Sequence, residues 1–118
     1  MRILDVDAVA GSDAREITGH LIGGEDIHAA FRSPTAAVVF TAGRILLIER
    51  NALLDEKIET TSFSYRAMRQ FSVSEGSAEG ARVAVKIWLG TDPQPLHLRA
   101  GPGTDLRPLQ DLLAAKLV

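Results

Sequence analysis

Three histidines are the first side chains of this sequence that could hold a metal ion. His20, His28 and His97 lie in three different segments, and none belongs to an H-x-x-x-H pattern that would place two imidazoles on one helix face. Histidines scattered in this way are usually surface or sheet residues. We therefore predict that the protein holds no metal ion.

Acid–base or nucleophilic catalysis would need side chains that converge on one point. Glu25 and Asp26, like Asp55 and Glu56, are neighbours that do not converge, because successive strand residues point to opposite faces. The sequence has no cysteine, and none of its serines lies in a G-x-S-x-G pattern. Its Gly-Pro-Gly segment at 101–103 lacks the G-K-[S/T] of a phosphate-binding loop. We therefore predict no enzymatic activity and no cofactor.

Composition and charge limit the classes of partner. The 118 residues carry a formal net charge of −2, and basic residues such as Arg50 and Lys57 are interleaved with acidic ones such as Asp55 and Glu56. A nucleic-acid-binding protein usually carries a basic stripe, so we predict no nucleic-acid partner. The longest apolar run is about five residues, against the roughly 20 of a membrane-spanning helix. With no signal peptide evident, we expect a single cytoplasmic domain.

Alternating apolar residues over most of the chain predict a sheet that would position any site. Residues 38–50 (VVFTAGRILLIER) are the clearest case, because two runs rich in β-branched and aromatic residues flank a turn at 41–43. We predict that Gly43 adopts the left-handed conformation in that turn. The predicted strands, about seven in number, cover residues 25–33, 36–41, 44–50, 57–64, 67–75, 81–89 and 96–100.

Two helices are predicted near the ends of the chain. Asp13 followed by Glu16 resembles a capping box, and a Gly-Gly pair ends the apolar spacing, so a short helix is expected at about 13–22. Asp105 predicts the N-cap of a second helix. The apolar stripe of that helix comprises Leu106, Leu109, Leu112, Leu113 and Leu117.

The order of these elements predicts a mainly β fold with a C-terminal α-helix. An open antiparallel sheet leaves two edges that can pair with other chains, and a strongly bent sheet closed by a helix reduces that exposure. We therefore expect a partial barrel of antiparallel strands whose C-terminal helix covers one end. Residues 1–24 would form an N-terminal helical extension and residues 25–118 the barrel domain.

Four segments carry motifs in a fixed order: residues 21–32 (LIGGEDIHAAFR), 39–48 (VFTAGRILLI), 63–73 (FSYRAMRQFSV) and 85–90 (VKIWLG). Together they resemble the motifs of the bacterial pleckstrin-homology domains. Members of that family often have Ile-Pro-Tyr where this chain has Phe63, Ser64 and Tyr65. The resemblance implies a pleckstrin-homology-like barrel without enzymatic activity that forms ring-shaped homo-oligomers. Our hypothesis is that this module also binds an unidentified protein partner.

Five residues are candidates for an interface with another subunit or a protein partner: Phe31, Arg44, Tyr65, Phe71 and Trp88. Arg44 could instead close a turn and Tyr65 could pack at a sheet corner, which are common structural roles. Trp88 alternates out of phase with its apolar neighbours, so it either anchors an interface or packs beneath a helix or the N-terminal segment. The sequence leaves both interpretations of Trp88 open.

Lipids and small molecules are the remaining ligand classes. In eukaryotic domains that share this fold, several Lys or Arg residues surround the loop between the first two strands, whereas the matching loop at 32–35 contains Arg32 alone. One cation near an anionic surface contributes only about 1 kcal/mol, so we predict no specific phosphoinositide binding. The alternative function is a small-molecule or lipid-binding barrel, since partial barrels hold ligands at their mouths.

Overall fold

A single curled sheet with a helix packed against it makes up the described part of the chain. The computed structural model describes residues 3–9, 25–51, 57–76 and 80–117. The elements of this described part are β1 (Ile3–Ala8), β2 (Ile27–Arg32), β3 (Ala36–Thr41), β4 (Arg44–Asn51), β5 (Lys57–Ser64), a 3₁₀ turn (Tyr65–Ala67), β6 (Met68–Glu75), β7 (Val83–Leu89), β8 (Leu96–Ala100) and α1 (Arg107–Leu117). The predicted mainly β fold with a C-terminal helix is confirmed.

The strands follow the order β5-β4-β3-β2-β1-β8-β7-β6 across the sheet. Neighbouring strands are antiparallel except β1 and β8, which are parallel. Residues 3–6 of β1 pair with β8, whereas its pairing with β2 involves Asp7 and Ala8. β1 is therefore the joint between two antiparallel halves, β2–β5 and β6–β8, and the whole sheet curls into a half-barrel.

The main apolar core fills the interior of this half-barrel. Its largest fully buried side chains come from both halves of the sheet and from α1: Phe40, Ile45, Ile87, Leu96, Leu98, Leu109 and Leu113. The rings of Phe31 and Phe40 meet edge to face, with centroids 6.1 Å apart. The predicted helix stripe enters this core except at Leu117, which is 45% exposed. Apolar side chains from the sheet and α1 are therefore packed together inside the half-barrel.

The central strands are also buried on their outer face. Ala30, Val39 and Leu46 form a second apolar cluster there, with Val9 and Ile27 packed against it. Every residue of β3 is consequently buried, as expected for a strand covered on both sides. The first four residues of β5, in contrast, are all exposed.

The first strand is a feature that the sequence did not predict. Leu4 and Val6 are buried while Asp5 and Asp7 are exposed, which is the period-2 pattern of a half-buried strand. Two apolar residues are too few to distinguish this pattern from an irregular segment. The sheet thus begins at Ile3, ahead of the domain boundary predicted between residues 24 and 25. The helix predicted at about 13–22 lies outside the described residues.

The prediction for the turn between β3 and β4 was wrong. Gly43 is not left-handed, and the positive φ angles of the described residues belong to other glycines. The Thr41 hydroxyl organises the turn instead: its Oγ1 accepts hydrogen bonds from the backbone N–H groups of Gly43, at 3.2 Å, and Arg44, at 3.0 Å. It also donates to the Arg44 carbonyl at 3.1 Å. A side-chain hydrogen bond of this kind stabilises the turn without a left-handed residue.

Candidate functional site

The ionisable side chains of the described residues do not gather into a metal site. No group of three His, Cys, Asp or Glu side chains that could hold a metal ion occurs among them. His28 lies on β2 and His97 on β8, while His20 is outside the described residues. Burial, together with the charges of Lys86 and Arg99, lowers the pKa of His97 below its ordinary value.

Arg44 fastens three segments of the sheet to one another. Its guanidinium donates two hydrogen bonds to the Glu25 carboxylate, from Nε at 3.1 Å and from Nη2 at 2.5 Å, and a third from Nη1 to Ser62 Oγ at 3.0 Å. The Glu25 carboxylate raises the pKa of Arg44. Glu25 precedes β2, Arg44 begins β4 and Ser62 lies in β5. This geometry supports the structural alternative for Arg44, and its part in an interface stays a prediction.

Tyr65 lies at the corner where β5 leads through the 3₁₀ turn into β6. Its side chain is 6% exposed, and its hydroxyl donates to the Thr41 carbonyl oxygen at 2.6 Å. Burial raises the pKa of Tyr65. The Nζ of Lys116 in α1 lies 5.5 Å from the ring centroid, within reach of a cation–π contact. Tyr65 therefore connects the corner of the sheet to the helix.

The other three interface candidates occupy different environments. Phe31 is 4% exposed and belongs to the main core, so its ring is not presented to a partner. Phe71 is half-buried and packs against the same core. Trp88 of β7 lies beside Gln70 of β6, is partly exposed and belongs to neither apolar cluster. The structure does not bring the five candidates together, and Trp88 is the one of them with aromatic surface outside the core.

A charged surface lies to one side of Trp88 on the outer face of β1, β8 and β7. Arg99 donates from Nε and Nη2 to the two carboxylate oxygens of Asp5 at 2.7 and 3.0 Å, and these bonds lower the pKa of Asp5. Lys86 and His97 are opposite each other in the next row of this face. Trp88 follows Lys86 by two residues and so shares its face. A partly exposed tryptophan among polar side chains is typical of protein interfaces.

The sheet ends in two edge strands, β5 and β6. Among the described residues, β5 pairs with β4 alone and β6 with β7 alone. The Arg50 N–H donates to the Thr35 carbonyl at 2.9 Å, toward β3. Because backbone groups alternate in direction along antiparallel strands, the N–H and C=O groups of Ile58 and Thr60, which lie on β5, point away from β4. The outer edge of β5 therefore carries backbone groups that can receive another strand.

A cleft of about 190 Å³ opens on the outer face beside the β2–β3 loop and the β4–β5 hairpin. Side chains from four strands and a loop line it, including Arg32, Pro34, Ala37, Ile48, Arg50 and Ile58. Sequence reasoning found one cation in the loop at 32–35. Strand register adds a second, Arg50, because β3 and β4 pair next to this loop. Because Arg32 and Arg50 are far apart in the sequence, neither local segment shows that both arginines line the same cleft.

The chain is similar to known proteins over most of its length. The family model described as "Bacterial PH domain" matches residues 5–117, which is most of the chain and includes residues 5–8 of β1. The uncharacterized protein YjqA of Bacillus subtilis (strain 168) is 27% identical over 101 residues, which are 85% of this chain and 81% of that protein. The resemblance in the sequence motifs thus extends across the whole sheet.

Solved structures share the curled sheet and the C-terminal helix. A protein with a pleckstrin-homology domain from Shewanella loihica has a TM-score of 0.74 at 23% identity, covering 97% of this chain and 98% of that one. The pleckstrin homology domain from Shewanella amazonensis has a TM-score of 0.66 at 25% identity, covering 91% and 96%. A PH-domain-containing protein from Exiguobacterium sibiricum gives 0.69 at 18%, with 96% of this chain matching 61% of its length.

Proposed function

The chain belongs to the bacterial pleckstrin-homology family, and from that premise we propose that it is a non-enzymatic module that assembles with copies of itself and binds a protein partner. The observation that carries this proposal is the presence of two edge strands, β5 and β6, at the ends of one sheet. Edge strands offer backbone hydrogen-bonding groups to a further strand. A second copy of the chain supplies such a strand.

The two edges differ, and this difference favours a ring. Joining β5 of one copy to β6 of the next is a head-to-tail contact, because the surfaces that meet are not the same. Repeated head-to-tail contacts close into a ring when the rotation between neighbours completes a full turn, and they otherwise grow as a filament. The ring-shaped assemblies implied by the family resemblance are of the closed kind.

Strand pairing supplies modest energy at each contact. A backbone hydrogen bond contributes about 0.5–1.5 kcal/mol net, so a few bonds along β5 favour association without making it permanent. Ile58 adds apolar area at this edge, since 53% of it is exposed in the single chain. Removing a subunit from a closed ring breaks two contacts, and a ring is therefore more stable than a single pair.

The distribution of ionisable groups favours binding over catalysis. Among the described carboxylates, Asp5, Asp92 and Asp105 have lowered pKa values, and each owes the shift chiefly to hydrogen bonds on the surface. Among the described residues, the interior of the half-barrel is packed with apolar side chains, whereas these three carboxylates lie outside that core. A cytoplasmic setting is part of the proposal, because a chain without cysteine needs no oxidising compartment.

The protein partner is expected on the outer face that carries Trp88, Lys86 and His97. Tryptophan supplies a large share of binding energy in many interfaces, and polar neighbours set the orientation of a partner. This face lies on β7 and β8 and not on the outer backbone edges of β5 and β6, so an assembled ring would present one copy of it per subunit. Retention of a cell protein by the intact oligomer but not by a Trp88→Ala oligomer of the same mass would support this assignment.

Light scattering after size-exclusion chromatography tests self-association. We expect a mass that is a multiple of the 12.7 kDa chain over a wide concentration range. Thr60→Pro removes a backbone N–H from the outer edge of β5 and should shift the mass toward the monomer, whereas Thr60→Val keeps the N–H and should not. Circular dichroism checks that both variants stay folded. A compact monomer at every concentration would contradict the proposal.

A further inference from the structure

We propose that the outer face of β1, β8 and β7 binds an extended acidic segment of the protein partner. In this segment an aspartate or glutamate lies between two apolar residues, one placed two positions before it and one two positions after it. The inference rests on the proposed binding of a protein partner to the face that carries Trp88, and it specifies the chemistry of that partner.

One row of side chains crosses this outer face at right angles to the strands. Ile3 of β1 is opposite His97 of β8. His97 is in turn opposite Lys86 of β7, which is opposite Ser72 of β6. Paired residues of neighbouring strands share a face, and the residues that alternate with these four belong to the main core or pack against it. The row therefore carries an apolar side chain at one end, two basic side chains in the middle and a hydroxyl group at the other end.

Two apolar side chains mark the ends of the binding surface. Ile3 is 59% exposed, and Trp88 is partly exposed on the face of Lys86, which it follows by two residues. Ile3 and Lys86 are two strands apart, roughly 10 Å, and Trp88 lies roughly 7 Å further along β7, so Ile3 and Trp88 are roughly 12 Å apart. Four residues of an extended chain span about 13 Å. One extended segment therefore contacts both ends with residues four positions apart.

A cation lies between these two apolar ends. Lys86 is half-buried and forms no ion pair with a described carboxylate, whereas Arg99 is paired with Asp5. The exposed hydroxyl group of Ser72, opposite Lys86, is a hydrogen-bond donor for the same anion. His97 adds a second basic group beside Lys86. A carboxylate on the middle residue of the segment meets these groups, and its charge complements theirs.

The acidic residues of β1 favour a protein segment over a polyanion. Asp5 and Asp7 are both exposed and alternate with the buried residues of β1, so they lie on this outer face. Their charges oppose the approach of a nucleic acid or an anionic membrane. A single carboxylate near Lys86 avoids them, and the apolar surface of Ile3 and Trp88 gains stability only when a partner removes it from water.

Fluorescence anisotropy on the full chain tests the charge and the spacing of the segment. The probe is a capped heptapeptide of threonines with leucine at its second and sixth positions and glutamate at its fourth, labelled with a neutral dye. A second peptide has glutamine in place of glutamate, and a third has its leucines at the third and fifth positions. We expect the first peptide to bind at least about threefold more tightly than either of the others. Equal affinity of the three peptides would overturn the proposal.

A double-mutant cycle locates the carboxylate contact at Lys86. Lys86→Gln should weaken binding of the glutamate peptide about three- to fivefold and leave the glutamine peptide unchanged, because only the glutamate peptide forms the ion pair. Lys57→Gln is the matched control, since Lys57 is an exposed lysine on β5 and outside this face. Equal losses for the two peptides, or a loss in Lys57→Gln as large as that in Lys86→Gln, would refute the contact.

The apolar end at Ile3 has its own pair of variants. Ile3→Ser should weaken binding of the glutamate peptide about three- to fivefold, because it removes apolar area that the peptide covers. Leu117→Ser changes another exposed apolar residue, on α1, and should have no effect. Both side chains are exposed, and circular dichroism verifies that the variants stay folded. Unchanged affinity in Ile3→Ser would contradict a segment that spans both ends.

His97 makes the contact sensitive to pH. Burial, followed by the charges of Lys86 and Arg99, lowers the pKa of His97, while Asp5 acts in the opposite direction. A partner carboxylate favours the charged imidazolium, so affinity for the glutamate peptide should rise at least about twofold as the pH falls from about 8 to about 6, where glutamate stays ionised. His97→Gln should remove this rise, and His28→Gln, at an exposed position of β2, should keep it. An equal rise with the glutamine peptide would count against the carboxylate contact.

Retention of a cell protein by the oligomer separates this inference from the proposed function. If Trp88→Ala loses a protein that Lys86→Gln retains, and no peptide binds, the partner face stands and the acidic segment is rejected. If neither variant changes what is retained, the partner face itself is rejected. Sedimentation with phosphatidylglycerol vesicles that Lys86→Gln abolishes, without binding of the glutamate peptide, would reject the segment in favour of a membrane surface.

Discussion

β3 and β5 lie two places apart in one sheet and meet opposite environments. All six residues of β3 are buried, whereas β5 exposes its first four residues and alternates afterwards. β3 has a strand on each side and an apolar cluster on each face, while β5 lies at the rim. Burial at the centre of the sheet therefore contributes most of the stability of the fold. Contacts with another chain can form at the rim without disturbing that buried centre.

The sequences of the two strands carry the same contrast. β3 reads AAVVFT, a continuous apolar run of the kind found in strands that are covered on both faces. β5 reads KIETTSFS, in which threonine and serine favour the extended backbone but offer little apolar surface. Such an edge strand stays soluble as part of a monomer and still presents its backbone groups to another strand.

The largest expected effect lies in β3. Phe40→Ala should lower the free energy of unfolding by about 3–5 kcal/mol, because it removes a fully buried ring and its edge-to-face contact with Phe31. Chemical denaturation measures this loss. The matched change in β5 is Phe63→Ala, which should cost clearly less because Phe63 is partly exposed. Equal losses at the two positions would remove the contrast between centre and rim.

We expect an intermediate effect on the free energy of unfolding at Arg44, which links β4 to the edge strand β5. Arg44→Gln should lower the free energy of unfolding by about 1–2 kcal/mol, because it breaks the paired hydrogen bonds to Glu25 and the bond to Ser62. Arg50→Gln is the control on the same strand, and we expect it to change stability by less than about 0.5 kcal/mol. A loss at Arg50 as large as that at Arg44 would contradict the structural role of the Glu25 pair.

The smallest effect on folding should come from the rim itself. Ile58→Ser should change the free energy of unfolding by less than about 0.5 kcal/mol, because the side chain is already largely in water. The same variant should lower the oligomer mass measured by light scattering at low concentration, since it removes apolar area from the outer edge of β5. A loss of stability comparable with that of Phe40→Ala would place Ile58 in a core that the present contacts do not show.

Local patterns explain why most of the fold was predictable. The strands from β2 to β8 each carry their own alternation or apolar run, and α1 carries its leucine stripe, so each could be found without knowledge of its neighbours. β1 could not, because Leu4 and Val6 are its only buried residues and its main partner is β8, at the other end of the chain. The predicted left-handed conformation of Gly43 was wrong because the hydroxyl of Thr41 accepts hydrogen bonds from the turn, which composition does not reveal.

The candidate site was less predictable than the fold for a related reason. Arg44 and Glu25 are 19 positions apart, and Arg32 and Arg50 meet the same cleft only through the register of β2, β3 and β4. Spacing in the sequence shows which side chains meet within one helix turn or one loop. It does not show which side chains meet across several paired strands. Trp88 was placed correctly on the face opposite its apolar neighbours, and its part in an interface stays a prediction.

The position of β1 has a consequence for the order in which the molecule is made. Asp5 of β1 and its partner Arg99 of β8 are 94 positions apart, so β1 can pair with β8 only after the chain between them has been synthesised. Until then its register with β2 is limited to two residues. Contacts this far apart in the chain are slow to form and leave partly folded chains open to one another. We therefore expect the pairing of β1 with β8, which joins the two halves, to form late in folding.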